Sequence, residues 1–179
     1  MALSRSTAVL QRVGSLEIDL CERLNRTCRR PWMQRYFATI SRLGDGPFWY
    51  ALMLLLPLIY GAGALQVSGA MVVTALFGLA CYKLLKQGIT RARPYAVDRR
   101  IVLGTEPLDQ FSFPSGHTLH AVSFSTISID HYPSLGWLLV PFTLLVALSR
   151  VLLGLHYPSD VLAGALLGGV VASLCLAVL

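Results

Sequence analysis

Charged residues are scarce in this chain: Asp, Glu, Lys and Arg make up 13% of its 179 positions, about half the ~25% usual in a soluble domain. That shortage, with a mean hydropathy of +0.62, excludes a disordered chain and a soluble basic nucleic-acid binder. Cysteine pairs are missing too. Cys21, Cys28, Cys81 and Cys175 contain no CxxC spacing and the last two fall in apolar stretches, so neither a zinc site nor a disulfide framework is indicated. Carboxylates are nowhere clustered as a divalent metal requires. An internal repeat, a low-complexity linker and the apolar stretch that a cleaved signal peptide needs after Arg5 are also lacking. What abounds is hydrophobic side chains, 55% of the total. These absences leave a membrane protein as the class.

The longest gap between charges runs from Gly46 to Tyr82, 37 positions. One bilayer crossing takes about 20 residues. The gap therefore predicts two crossings, Pro47 to Leu65 and Val67 to Tyr82, with Gly61, Gly63 and Gly69 supplying the turn. Three more stretches without Asp, Glu, Lys or Arg, namely Gln110 to Ile129, Tyr132 to Ser149 and Val161 to Leu179, predict three further spans. The first of these is made polar by His117, His120 and several Ser and Thr. The expected fold is all-α: a polytopic membrane helix bundle with about five transmembrane helices, forming a core over residues 46–179.

Residues 1–45 differ, carrying eight Arg and four acids with no uncharged stretch long enough to cross. Val9, Val13, Leu16, Leu20 and Leu24 recur at helical spacing, as do Trp32, Tyr36, Ile40 and Leu43 after a break at Pro31. They predict N-terminal amphipathic interfacial helices with Arg directed to headgroups. A short helical hairpin packed on the core is the alternative.

Three groups of polar residues interrupt the apolar pattern. Lys86 and Arg93 are seven positions apart, so a second helix continuing past the membrane edge would project both from one face, with Pro94 ending it. Lys83, Lys86 and Arg91 taken alone read as a basic anchor to lipid headgroups. Phe113-Pro114-Ser115-Gly116-His117 opens the third span with a first-turn proline, a hydroxyl and a glycine that admits close approach. Such a helix N-terminus suits a phosphate, and His117 beside it suits proton transfer; an ordinary N-cap with an incidental histidine is the alternative. Ser149, Arg150, His156 and Asp160 form the third group. Arg150 can be a snorkelling anchor, but a carboxylate four residues after His156 can orient one imidazole nitrogen while the other acts.

Helix parity unites the three groups. The second span ends at Lys86, the third begins at His117, the fourth ends at Arg150 and the fifth begins at Asp160, so an up-down bundle brings all four ends to one membrane face. Three cations, a helix N-terminus, two histidines and one acid on one face suit phosphoryl transfer.

These residues also resemble a known signature. Lys86 with six residues before Arg93-Pro94, then Pro114-Ser115-Gly116-His117, then Ser149-Arg150 with five residues before His156 and three more before Asp160 match the three-part signature of the type 2 phosphatidic acid phosphatase family. The signature region, Lys86 to Asp160, covers under half of the chain and leaves the first 45 residues unmatched. The resemblance implies an integral-membrane, metal-independent and cofactor-free lipid phosphatase with a phosphohistidine intermediate. It implies His156 as nucleophile, Asp160 as its orienting partner and His117 as general acid and then base. Lys86, Arg93, Arg150, Ser115 and the Gly116 N–H are implied as phosphate ligands. The residues themselves ask for the same division, with one histidine neutral to attack while the other is protonated to donate.

The loop from Tyr95 to Phe113, 19 residues, leaves no room for a cap domain, so a lipid must enter from the side, between helices. Candidate substrates are undecaprenyl pyrophosphate, phosphatidylglycerol phosphate, phosphatidic acid and the 1-phosphate of lipid A. A polyprenyl substrate ranks first by analogy with compact bacterial relatives. The expected partners are a phosphorylated lipid and the bilayer, and no nucleic acid. The rivals are a lipid-to-lipid phosphotransferase, a vanadate-dependent haloperoxidase, which five spans make improbable, and a non-enzymatic lipid-binding scaffold. The resemblance implies a bacterial inner-membrane protein with its catalytic face outward. The Lys and Arg residues, gathered on that same face, argue by the positive-inside rule for the cytosol.

Overall fold

The computed structural model describes residues 2–178, with side chains described for residue 12 and for 14–178. The side chains of Arg5, Val9, Val13 and Leu179 lie outside the described residues. The elements are α1 (Ala2–Asn25), α2 (Pro31–Gly44), α3 (Pro47–Tyr60), α4 (Ala64–Gly88), α5 (Pro94–Val97), α6 (Gly116–His131), α7 (Gly136–Leu152) and α8 (Pro158–Leu176). Short 3-10 turns lie at Arg26–Arg29 and Pro133–Leu135. Among the described residues there is no strand, so the fold is the expected all-α bundle. Proline opens α2, α3 and α8, where its missing N–H costs no helix bond. Gly61, at φ +84°, ends α3 in a conformation that other residues rarely adopt.

Three helical stretches are long and apolar enough to cross a membrane: Ala64–Gly88, Pro133–Leu152 and Pro158–Leu176. The pair α2 and α3, bent by 50° at its break, makes a fourth if taken as one broken span. The expected third span begins later than its uncharged run, because residues 110–115 are not helical and α6 has only 16 residues. α6 can be short and polar because α4, α7 and α8 surround it. Its hydroxyls bond within the bundle: Ser123 Oγ donates to the carbonyls of Leu119 (2.8 Å) and Gly168 (3.0 Å), and Ser125 pairs with Thr143 at 2.7 Å.

The outward faces are apolar instead. Leu58 is 79% exposed, Leu76 65%, Leu144 64% and Leu166 65%, an arrangement that suits lipid and not water. Gly164 and Gly168 face the α6 backbone so closely that a Cβ on either would run into the carbonyl of Ser115 or Leu119. Their four-residue spacing lets two membrane helices touch backbone to backbone, which fixes the N-terminus of α6 against that of α8.

The N-terminal helices pack on this bundle. α1, α2 and the 3-10 turn between them lie against α7, with Cys21, Cys28, Phe37 and Ser41 all buried. The sequence-predicted apolar stripe is divided: Leu16, Leu20, Trp32, Tyr36 and Leu43 are exposed, free to meet the bilayer surface, whereas Leu24 and Ile40 pack against the core. α1 is also tied down at its end, where Asn25 donates to the carbonyls of Leu152 and Val102, each at 2.8 Å, and accepts from the Val102 N–H.

Candidate active site

The ends of α4, α6, α7 and α8 meet on one face as parity predicts, and the chain between them closes the site. Lys86 and Arg93 come together by a different route from the one expected. α4 stops at Gly88 and residues 89–93 are not helical; Arg93, kept out of the helical region by the proline after it, sits at φ −75°, ψ 152°. Pro94 therefore opens the short α5 and does not end α4. The two cations meet at Asp109. The Lys86 ammonium pairs with its carboxylate, Arg93 donates to Oδ1 at 2.7 Å, and the Tyr82 hydroxyl also binds it. Burial pushes the Asp109 carboxyl up, but bonds from Lys86 and Tyr82 and the nearby positive charge outweigh it and hold it below the usual range.

Arg93 also defines the state of His156. Its guanidinium donates to the Leu155 carbonyl at 2.9 Å and lies 3.3 Å from His156 Nε2. Arginine nitrogens only donate, so Nε2 accepts and the ring proton rests on Nδ1. Nδ1 faces Asp160, with Oδ2 at 3.8 Å, close enough to attract and too long for a hydrogen bond. The Nε2 lone pair thus points toward the Arg93 guanidinium. Asp160 itself is wholly buried, accepting from the Tyr157 N–H at 2.9 Å and from Arg91 at 2.6 Å.

Arg150 is 3% exposed, donates to the Ser41 hydroxyl and leaves its Nε–H without a partner. Among the described residues no carboxylate lies within ion-pair distance of it. A buried guanidinium in that state is a donor awaiting an anion. Ser115 is the N-cap residue of α6; its N–H donates to the Asp160 carbonyl at 3.0 Å and its hydroxyl pairs with the Thr118 hydroxyl at 2.9 Å. Pro114 precedes this cap and stands outside the helix. Gly116 starts α6 against the Tyr82 ring, where a Cβ would stand only 2.9 Å from it. His117 Nε2 lies 3.3 Å from Asp45, at the α2–α3 bend.

A cavity of about 480 Å³ leads to His117. Its walls are Trp49 and Met53 from α3, Leu76 and Leu79 from α4, and Phe124 from α6.

Every residue expected in the site lies at this end of the bundle. Sequence reasoning passed over Tyr82, Asp109, Ser41 and Asp45, and read Arg91 as a headgroup anchor. Asp45 and Asp109 each precede a long stretch without charge, the one signal that singles them out.

Fold and site together define a helical membrane protein with a cation-lined histidine pocket at one end. The chain belongs to the PAP2 superfamily, whose family model matches residues 63–179. It is 31% identical over 166 residues to phosphatidylglycerophosphatase B of Bacillus subtilis, a match covering 78% of this chain and 72% of that one. It is 36% identical over 90 residues to undecaprenyl-diphosphatase BcrC of the same organism, covering 50% of this chain and 46% of the relative, so the chain spans about half of that protein's length. The crystal structure of Aquifex aeolicus LpxE superposes with a TM-score of 0.77 over 90% of this chain and 95% of that one, at 24% identity, a likeness of fold.

Proposed function

We propose that this protein is a metal-independent lipid phosphatase acting through a phosphohistidine on His156. The observation that carries the reading is the buried Arg150 guanidinium, without an ion-pair partner among the described residues, on the same bundle end as Lys86, Arg93 and the His156 Nε2 that faces Arg93. That set neutralises a phosphoryl group without a divalent ion. In the first step the Nε2 lone pair attacks phosphorus and the bond to the leaving oxygen breaks, with His117 protonating that oxygen. In the second, His117 takes a proton from water, the water oxygen attacks phosphorus, and the N–P bond breaks to release inorganic phosphate. Lys86, Arg93, Arg150, Ser115 and the Gly116 N–H hold the phosphoryl oxygens, and Asp160 stabilises the charged imidazole.

The lipid tail occupies the cavity lined by α3, α4 and α6, which also reaches His117. Residues 1–45 form an interfacial segment and 46–179 the transmembrane phosphatase core. The substrate is a polyprenyl pyrophosphate, with phosphatidylglycerol phosphate the second reading; a relative named for each class supports the two. The protein sits in a bacterial inner membrane with its catalytic face outward.

Phosphate release from undecaprenyl pyrophosphate, phosphatidylglycerol phosphate, phosphatidic acid and lipid A, assayed in detergent with EDTA and no acceptor alcohol, tests this. Release is expected, fastest from the polyprenyl substrate. Release only after an acceptor is added makes the protein a phosphotransferase, and no release from any lipid leaves a binding scaffold.

A further inference from the structure

Asp160 does not stand alone beside His156. Its Oδ1 accepts from Arg91 at 2.6 Å, and the other terminal nitrogen of Arg91 donates to Glu17 on α1 at 2.7 Å. Glu17 also binds α8, its second oxygen accepting from the Ser159 N–H at 2.9 Å in the first turn of that helix. Arg91 also donates to the Ser159 hydroxyl at 2.7 Å and lies over the Tyr157 ring, 3.7 Å from its centroid. Its guanidinium is thereby fixed by two carboxylates, a hydroxyl and an aromatic face. The family model begins at residue 63, so Glu17 lies outside the region it matches.

We propose that Glu17 and Arg91 are positioning residues for the nucleophile, acting through Asp160; this rests on the phosphohistidine reading of His156. Arg91 alone would both hold Asp160 and draw its negative charge away from the imidazole. Glu17 corrects the balance: with two carboxylates and one guanidinium the cluster keeps one net negative charge. Phosphorylation at Nε2 with Nδ1 still protonated gives the ring one positive charge, which that cluster neutralises beside a buried imidazole. Removing the charge of Glu17 leaves a neutral cluster and an uncompensated imidazolium. The phosphoryl ligands Lys86, Arg93 and Arg150 are untouched, so binding is not the step affected.

The test is steady-state kinetics of the purified full chain on undecaprenyl pyrophosphate. Glu17→Gln keeps the shape and the bond to Ser159 but loses the charge. It is expected to lower kcat by about tenfold or more, as loss of an outer carboxylate partner does elsewhere, with KM within about twofold and an unchanged thermal midpoint. Glu17→Asp, which keeps the charge, is expected to recover most of that loss. If Glu17→Gln fails to fold, Arg91→Lys serves instead: it keeps the charge but cannot bridge both carboxylates, and the same loss confined to kcat is expected. A wild-type kcat in Glu17→Gln, a change in KM alone, or equal losses in the Gln and Asp variants overturns the inference. An inactive wild-type enzyme overturns the active-site reading itself, a separate result.

Discussion

His156 is 2% exposed, with Arg93 at one ring nitrogen and Asp160 at the other. Burial, with the charges of Arg150 and Arg93, pushes its imidazole down to about 4, against the pull of Asp160. The ring is therefore neutral at pH 7 with its lone pair available, the state a nucleophile needs. The same shift fixes the sign of a stability effect. Between the unfolded value near 6.5 and the folded value near 4, the unfolded chain binds more protons. His156 therefore costs nothing above the upper limit, and stability is lost as pH falls through the window, by at most about 3 kcal/mol at its lower end. The thermal midpoint in detergent is expected to fall between pH 7 and pH 4, and to fall less in His156→Asn. Equal falls in both proteins would contradict a neutral, buried imidazole.

At the scale of elements, antiparallel neighbours set the arrangement. α4 and α7 end where α6 and α8 begin, so residues far apart in sequence share one face. Gly164 and Gly168 hold α8 against α6, and with them the peptide carrying Ser115 and Gly116 against the turn carrying His156 and Asp160. Parity also puts the end of α8 on the face opposite the site. With the catalytic face outward, a reporter fused after residue 179 is expected to be active only in the cytoplasm. Activity only in the periplasm reverses the orientation and sides with the positive-inside rule. Helix parity was legible because it depends only on the order of apolar runs. The joint placement of Lys86 and Arg93 on one helix face was not: Gly88 and the residue before Pro94 break the helix, and the cations meet through Asp109 instead. The length of α6 was also hidden, because an uncharged run does not mark where its helix starts.

In the whole molecule, the excess of positive charge, net +6, is unevenly used. Lys86, Arg93 and Arg150 are buried in the site, Arg91 ties α1 to α8, and Lys83 remains exposed at the surface. The site residues could be read from sequence because their chemistry is specific: histidines and cations at the ends of apolar spans have few other uses. Their supports could not. Glu17, Ser41 and Asp45 lie in a segment whose pattern marks only amphipathic helices, and their bonds to Arg91, Arg150 and His117 exist only once α1 and α2 pack on the bundle. The central claim is the covalent intermediate on His156. It is tested by mixing radiolabelled lipid phosphate with the purified enzyme in EDTA and quenching with base within the first turnover. The account predicts a base-stable, acid-labile phosphoprotein with the label on the peptide holding His156, and neither label nor turnover in a folded His156→Ala protein. Label on another residue, normal turnover without His156, or complete loss of activity in EDTA would contradict it.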